Sequence, residues 1–308
     1  MIVTKDLRVD YDTLRAVNDL NLNIERGMVF GLIGPNGAGK TTTIRVLATL
    51  LEPTYGDVRI GDFDVVENPM EVHRILGYMP DASPTYDDLK VFEFLDVFGM
   101  AYGLEGRHRA KRVDECIELT DLVGKRDAFV VTLSRGMKQR LLVAKTLLHD
   151  PQVLLMDEPM SGLDPMARIE LREVFKQLGA MNKTLLISSH ILTELSDFCN
   201  SVGIMEKGKM VISGRIDEVS AQLSPHAVLL VDLVAPDERL SAFLTDKPHI
   251  KSFGVDGAHA RIVFDGTQDD MAELLAAIVN AGLKVRSFAQ KKQDLEDIFL
   301  KVGAREVA

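Results

Sequence analysis

Between residues 34 and 41 the chain reads Gly34-Pro35-Asn36-Gly37-Ala38-Gly39-Lys40-Thr41. This spacing of glycines, a lysine and a hydroxyl residue is typical of a phosphate-binding loop. The apolar run Met28 to Ile33 favours a buried strand before the loop, and the pattern of Thr41 to Leu51 favours a helix after it. Because a phosphate-binding loop requires this strand–loop–helix setting, the stretch predicts an α/β nucleotide-binding fold rather than an ordinary glycine-rich turn.

The loop supplies most of the predicted nucleotide contacts. Glycines let successive backbone N–H groups point at phosphate oxygens, and the N-terminus of the helix adds partial positive charge. Lys40 is expected to reach the outer phosphates and to act in catalysis, and Thr41 is expected to ligate Mg²⁺. The nucleotide-binding residues predicted in this region are Gly34, Pro35, Asn36, Gly37, Ala38, Gly39, Lys40, Thr41 and Thr42.

A pair of acidic residues, Asp157 and Glu158, follows the apolar run Val153 to Met156. In α/β sheets, ligands bind at the carboxyl ends of the strands. Asp157 is therefore predicted to hold Mg²⁺, and Glu158 is predicted to accept a proton from the attacking water as a general base. A solvated acidic pair at a strand end is the alternative, and the complete phosphate-binding loop in the same chain disfavours it.

Composition narrows the class of protein. The chain has 308 residues and a formal net charge of −10, which argues against a nucleic-acid partner because such binding needs a basic face. Its two cysteines, Cys116 and Cys199, indicate a reducing compartment. No run reaches the roughly 18 to 20 apolar residues that a membrane-spanning helix needs. We therefore expect a cytoplasmic chain, with any membrane role exerted through a partner.

The pattern along the chain predicts two domains. Strand-like and helical segments alternate through residues 1–223, which favours a parallel sheet with crossover helices. Within this domain, the segment at about 82–150 is interpreted as a helical insert. Residues 224–308 follow the order β-α-β-β-α-β and end in a short helix, Leu295 to Val302, which predicts a small α+β domain of ferredoxin-like fold.

Three further segments distinguish among the families that carry such a loop. They read Leu133-Ser134-Arg135-Gly136-Met137-Lys138-Gln139-Arg140, Ser161-Gly162-Leu163-Asp164-Pro165 and Ser188-Ser189-His190. In this order, together with the phosphate-binding loop and the acidic pair, the set resembles the nucleotide-binding domain of ABC transporters. The resemblance covers roughly residues 1 to 215 and implies an α/β P-loop NTPase domain of ABC type that hydrolyses ATP with Mg²⁺.

The resemblance implies a homodimer in which two copies meet head to tail with ATP between them. Ser134 and the Gly136 backbone of one copy would donate to the γ-phosphate held by the other copy. His190 would contact that phosphate and act in catalysis beside Glu158. Asp164 would carry contacts across the dimer, and Tyr11 resembles the aromatic residue that stacks on adenine. The alternatives are an N-cap role for Ser134 and a packing role for Tyr11 at a strand edge.

The sequence departs from the common family motifs in two places. Arg135 and Met137 replace a glycine and the glutamine of the usual Leu-Ser-Gly-Gly-Gln signature, so the backbone donors remain while the glutamine side chain is lost. The segment Gly77-Tyr78-Met79-Pro80-Asp81 resembles one that normally ends in glutamine. Asp81 can accept a hydrogen bond from a Mg²⁺-bound water but cannot donate one as an amide does, and a plain loop carboxylate is its alternative role.

The signature methionine, the segment ending in Asp81 and the tail Asp294 to Leu300 are similar to ATPase subunits of bacterial drug, antibiotic and polysaccharide exporters. Those subunits work with a separate multi-spanning membrane subunit, which the stretch Tyr86 to Phe98 would contact unless it is an internal face. The resemblance thus implies a peripheral protein on the inner face of the cell membrane.

Two alternative functions remain open. One is a soluble ABC-type ATPase acting on a non-transport protein complex, and the other is a regulatory module with an inactive site. The role of residues 225–308, structural or ligand-sensing, is left open.

Overall fold

The structure is a computed structural model that describes residues 1–191, 194–216, 218–219, 227–245 and 247–291. The chain divides into two compact units, Met1–Ile216 and Asp217–Ala308. The predicted boundary near residue 224 and the predicted closing helix Leu295 to Val302 lie outside the described residues, and both stay predictions.

The first unit contains ten strands and six helices among its described residues. The strands are β1 (Ile2–Tyr11), β2 (Leu14–Ile24), β3 (Val29–Ile33), β4 (Tyr55–Ile60), β5 (Phe63–Asp64), β6 (Leu76–Met79), β7 (Val153–Met156), β8 (Thr184–Ser189), β9 (Ser201–Glu206) and β10 (Lys209–Arg215). The helices are α1 (Lys40–Leu47), α2 (Pro69–Ile75), α3 (Val91–Ala101), α4 (Gly106–Leu119), α5 (Arg135–Leu147) and α6 (Pro165–Ala180), with 3₁₀ turns at Val123–Lys125 and Val130–Thr132.

A six-stranded sheet forms the centre of this unit, in the order β10-β9-β3-β8-β7-β6. Its strands pair in parallel except for β10, which pairs antiparallel with β9 at one edge. Every residue of β3 and β7 is buried, as continuous apolar runs in a parallel sheet require. The predicted mainly parallel α/β sheet is confirmed, and its carboxyl edge gathers the residues that follow β3, β6, β7 and β8.

A second, antiparallel sheet has the order β2-β1-β4-β5. Strands β1 and β2 pair antiparallel, and Asp12 makes their turn with a φ of 43°. The apolar side chains of this sheet join those of α1 and the central sheet in one buried cluster that includes Ile2, Phe30 and Ile44. No strands were predicted within residues 52–81, where the structure has β4, β5 and β6. Of these, β5 and β6 are too short to show a period.

Helices α3, α4 and α5 occupy the chain between β6 and β7, where helical spacing was predicted. Helix α5 begins after Ser134, whose Oγ accepts from the Met137 N–H at 3.3 Å. Helix α6 begins after Asp164, whose Oδ1 accepts from the Ala167 N–H at 3.0 Å. Both residues are of types that satisfy the free N–H groups of a first helical turn.

The described residues of the second unit form a four-stranded antiparallel sheet and two helices. Its elements are β11 (Ala227–Leu233), α7 (Arg239–Thr245), β12 (Ile250–Asp256), β13 (His259–Phe264), α8 (Gln268–Asn280) and β14 (Val285–Lys291). The strand order β12-β13-β11-β14 with all pairs antiparallel is the ferredoxin-like arrangement that the sequence predicted. Its buried cluster, which includes Leu229, Ile262 and Ile278, is separate from that of the first unit.

Among the described residues, none of the helices combines the length and the apolar character needed to span a bilayer.

Two neighbouring leucines of β11 test the core of the second unit. Leu229 is fully buried, whereas Leu230 on the opposite face is 39% exposed. We expect Leu229→Ala to lower the free energy of unfolding of this unit by about 2–5 kcal/mol, because it removes buried methyl groups and leaves a cavity. The matched variant Leu230→Ala should change it by less than about 1 kcal/mol. Urea unfolding of both variants measures the difference, and equal effects would contradict the assignment of the buried face.

The two thiols provide a second test. Burial raises the pKa of Cys116 to about 11 and raises the pKa of Cys199 further. Because the thiolate is the reactive form, both groups stay protonated and inaccessible at pH 8 in the folded chain. We expect a thiol reagent to label neither cysteine in the native protein and both in strong denaturant. Rapid labelling of the native chain would contradict the burial of α4 and of the stretch that carries Cys199.

Candidate functional site

The phosphate-binding loop joins β3 to α1 at the carboxyl edge of the central sheet. A Cβ atom at Gly34 would lie 2.4 Å from the Met205 carbonyl oxygen, and one at Gly39 would lie 2.6 Å from that of Ala16. Gly37 and Gly39 have φ values of 83° and 101°, which favour glycine. The glycines are therefore required both by the backbone curl and by the strands that press against the loop.

Lys40 folds back over the loop that precedes it. Its Nζ donates to the carbonyl oxygens of Gly34 at 2.6 Å and Pro35 at 3.3 Å. The same Nζ lies 3.3 Å from Oε1 of Glu158, and the lysine is only 5% exposed. That Oε1 atom is buried and has no hydrogen-bond donor, so the ammonium group is its nearby counter-charge. The two predicted catalytic groups of the loop and the acidic pair are thus in contact.

Ser188 fixes the acidic pair at the end of β7. Its Oγ donates to Asp157 Oδ1 at 2.6 Å and accepts from the backbone N–H of Glu158 at 2.9 Å. Glu158 has a φ of 48°, a conformation that costs a non-glycine residue free energy and is found most often at functional sites. This turn sends the two carboxyl groups in different directions, with Asp157 buried and Glu158 facing the loop.

His190 follows β8 and contacts the other oxygen of Glu158. The distance from His190 Nδ1 to Glu158 Oε2 is 2.8 Å, and since a carboxylate only accepts, Nδ1 carries the proton. Lys40 and His190 therefore hold the two oxygens of one carboxyl group. The structure brings together the three residues predicted to be catalytic, and their catalytic role stays a prediction.

A cavity of about 460 Å³ opens beside this cluster. Its lining includes predicted residues from the loop and the start of α1, from the end of β1, and from the stretches after β6 and β7: Tyr11, Pro35, Asn36, Gly37, Ala38, Gly39, Lys40, Thr41, Thr42, Asp81 and Glu158. Gly34, Asp157 and His190 are not among the lining residues: Gly34 lies against the Met205 carbonyl, Asp157 is buried, and His190 contacts the site through Glu158. This volume is within the ordinary range of small-molecule sites.

Four lining residues were missed by the sequence analysis: Leu14, Arg15, Ala16 and Lys207. Leu14, Arg15 and Ala16 begin β2, and Lys207 lies in the turn between β9 and β10. This turn reaches the loop because Gly208 donates to the Ala38 carbonyl at 3.0 Å and accepts from the Asn18 N–H at 2.8 Å. No local motif signals these residues, since only the packing of the two sheets places them at the cavity.

The oxygen donors of the site suit Mg²⁺. Thr41 and Asp81 line the cavity, and Asp157 lies directly behind Glu158 at the end of β7. Hydroxyl and carboxylate oxygens are ligands that Mg²⁺ prefers, and it usually takes only one or two from the protein beside phosphates and water. The described residues contain no cluster of three or more acidic, histidine or cysteine ligands.

Tyr78 lies near this site, in β6. Burial raises the pKa of Tyr78, and the charge of Asp157 acts in the same direction.

The remaining predicted residues form a second group that does not line the cavity: Ser134, Gly136 and Asp164. Ser134 and Asp164 cap the helices α5 and α6, and the helices touch at Gly136, where a Cβ would lie 2.5 Å from that of Ala167. Arg135 Nη2 donates to the Ser161 carbonyl at 3.1 Å, which ties the two helix starts further. Within one copy of the chain, the described structure does not bring this group to the phosphate-binding loop.

Models of two families match the chain. The first, described as ABC transporter, covers residues 17–161, and the second, described as ATP-binding protein DrrA1-3-like, C-terminal domain, covers residues 214–302. The first match contains the loop, the signature segment and the acidic pair. The second contains the ferredoxin-like sheet.

Similar proteins extend over nearly the whole chain. The Nod factor export ATP-binding protein I of Cupriavidus pinatubonensis is 33% identical, with 98% of this chain and 90% of that protein covered. The bacitracin transport ATP-binding protein BcrA of Bacillus licheniformis is 32% identical, with 98% and 97% covered. A solved structure of an ATP binding subunit of an ABC transporter is 31% identical with a TM-score of 0.64, covering 72% of this chain and 92% of that one. The chain therefore belongs to the ATP-binding proteins of ABC transporters, which are ATPases coupled to transport.

Proposed function

We propose that this ATPase subunit powers an exporter, and that two copies of the chain close head to tail around ATP to do so. One observation carries the proposal: the phosphate-binding loop and Glu158 line one cavity, with His190 in contact with the Glu158 carboxyl group, while Ser134, Gly136 and Asp164 are not among the lining residues. A second copy is the simplest source of the missing half of the site, because each chain offers both halves.

Lys40 is placed to hold the outer phosphates of ATP. Its ammonium group lies against two loop carbonyls and the Glu158 carboxyl group. The β- and γ-phosphates of ATP are charged acceptors that this ammonium group would bind. The backbone N–H groups of the loop and the start of α1 would hold the same phosphates. Lys40 thus brings the nucleotide next to the proposed general base.

Hydrolysis then depends on the orientation of Glu158. The carboxylate accepts a proton from the water that attacks the γ-phosphorus, while His190 keeps the carboxylate facing the cavity through its contact with Oε2. A positioned general base contributes about 10² to 10⁴ in rate. Thr41, Asp157 and Asp81 would hold Mg²⁺, which neutralises charge on the phosphates when bound.

Closure of the dimer supplies the remaining donors. The start of α5 carries free N–H groups and a partial positive charge, which suit the γ-phosphate bound by the other copy. Ser134 and the Gly136 backbone would donate there, and Asp164 would contact the partner beside them. Hydrolysis removes the phosphate that joins the copies, so the dimer reopens.

We assign the contact with a separate multi-spanning membrane subunit to a surface formed by α3 and by Tyr86, which precedes it. Tyr86, Val97 and Met100 are 54%, 40% and 49% exposed. The Tyr86 ring centroid lies 6.1 and 6.3 Å from those of Phe94 and Phe98, which places Tyr86 against α3. Such a patch suits a helix of a protein partner. Through it the chain would sit on the cytoplasmic face of the membrane.

The outward direction of transport is supported by what two relatives are named for. One is a Nod factor export protein and another a bacitracin transport protein, and both align over 98% of this chain.

The second candidate function is an ATPase that acts on a non-transport protein complex. Co-purification distinguishes the two functions, because only the transporter subunit extracts in detergent with a multi-spanning polypeptide.

We propose that residues 224–308 form an accessory domain. Removal of this domain should leave some ATPase activity.

Lys40→Ala tests the binding step. We expect ATP affinity to fall by at least about 100-fold, because the variant loses the charged donor that holds the outer phosphates. Fluorescence titration with a nucleotide analogue measures it. Lys176→Ala, which removes an exposed lysine of α6 that pairs with Glu173, serves as the control and should bind normally. Unchanged affinity in Lys40→Ala would refute the assignment of the loop.

Glu158→Gln tests the catalytic step and the dimer together. We expect ATP binding to remain, kcat to fall by about 10² to 10⁴, and a stable dimer to accumulate with ATP, because the base is lost while the phosphate contacts stay. Turnover assays and size-exclusion chromatography with light scattering measure these quantities. Normal turnover in this variant would show that Glu158 is not the base, and a monomer at saturating ATP would contradict closure.

A further inference from the structure

The second serine at the end of β8 points away from the acidic pair. Ser189 Oγ donates to Glu194 Oε2 at 2.7 Å and accepts from the backbone N–H of Ile191 at 2.9 Å. Ser189 and Glu194 are 1% and 7% exposed. His190 lies between Ser189 and Ile191, so the Ser189 hydroxyl links the residues on both sides of His190, and this hydroxyl in turn bonds to the buried Glu194 carboxyl group.

Glu194 is an unusual residue to bury at this place. Its Oε1 atom has no hydrogen-bond donor, although Arg168 Nε of α6 lies 3.4 Å away and also lacks an acceptor. Burying a carboxyl group costs free energy unless it is fully paired. A buried, incompletely paired group of this kind calls for an explanation other than stability.

Joining α6 to the stretch after β8 does not require Glu194. The rings of Phe175 and Phe198 pack between the same two segments, with centroids 5.5 Å apart. On the surface, Arg172 of α6 pairs with Asp197. Apolar packing and an exposed ion pair thus already connect the segments, and the distinctive contact of Glu194 is the one with Ser189.

We propose that Glu194 is a positioning residue for the ATPase reaction. Through the Ser189 hydroxyl it fixes the backbone of His190, and so it keeps Nδ1 of that histidine 2.8 Å from the Glu158 carboxylate. Arg168, on the helix that begins at Asp164, lies 3.4 Å from the other oxygen of Glu194. The inference rests on the proposed roles of Glu158 and His190.

The test uses the full-length chain and compares Glu194→Ala, Glu194→Gln and the control Asp197→Ala. We expect Glu194→Ala to lower kcat about 10- to 100-fold, since a small misplacement of a catalytic group costs about that much. The KM for ATP should change by less than about twofold, because the phosphate contacts are untouched. Glu194→Gln keeps an oxygen that accepts the Ser189 hydroxyl bond, so it should retain most of kcat. Asp197→Ala should behave as the unmodified chain.

A double-mutant cycle with His190→Ala separates positioning from general stabilisation. His190→Ala alone should lower kcat at least about tenfold. If Glu194 acts through His190, adding His190→Ala to Glu194→Ala should change kcat by less than about twofold, whereas independent effects would multiply. If Glu194→Ala does not fold, Ser189→Ala removes the same hydrogen bond with a smaller change and replaces it in the cycle.

Three results would overturn the inference: wild-type kcat in folded Glu194→Ala, multiplicative effects in the cycle, or a loss in Glu194→Gln as large as in Glu194→Ala. These results differ from a failure of the proposed function. If the unmodified chain hydrolyses ATP and responds to His190→Ala, but the Glu194 variants keep full kcat, only the role of Glu194 is refuted. A chain that binds ATP and shows no turnover would refute the proposed reaction itself.

Discussion

The carboxyl group of Glu158 is shared between the Lys40 ammonium and the His190 imidazole, and the organisation of the site depends on this sharing. Each of the three residues follows or begins a different element: α1, β7 and β8. They meet because β3, β8 and β7 are adjacent parallel strands whose carboxyl ends lie at one edge. A change in strand order would separate them even if every motif were preserved.

The backbone at Glu158 is held in a conformation that costs free energy, because its φ is positive. Such a conformation costs on the order of 1–3 kcal/mol in a residue other than glycine and persists only where its surroundings determine it. The glycines of the loop adopt positive φ without this cost. At Glu158 the surroundings are the central sheet and the hydroxyl of Ser188, which binds both members of the acidic pair. The stability of the sheet thus maintains a preorganised site.

The two serines at the end of β8 face opposite sides of the sheet, because side chains alternate along a strand. Ser188 faces the acidic pair, and Ser189 faces Glu194 on the other side. His190 follows them and reaches the carboxylate from solvent. In the proposed dimer, the capped starts of α5 and α6 would complete the site from a second copy. Helix α6 would then begin at the proposed dimer contact, at Asp164. Arg168, in the first turn of that helix, lies near Glu194, which we propose positions His190.

The sequence by itself determined the α/β class, the phosphate-binding loop, the acidic pair and the ferredoxin-like order of the second unit. It could do so because these features depend on local spacing and on strand and helix periods, which a single chain displays directly. The tertiary structure alone decided that Lys40 contacts Glu158, that Arg15 and Lys207 line the cavity and that Ser189 donates to Glu194. Each of these arrangements brings together residues that are not adjacent in the chain. Their separation in space is set by how the strands and turns pack, and no local sequence pattern encodes it.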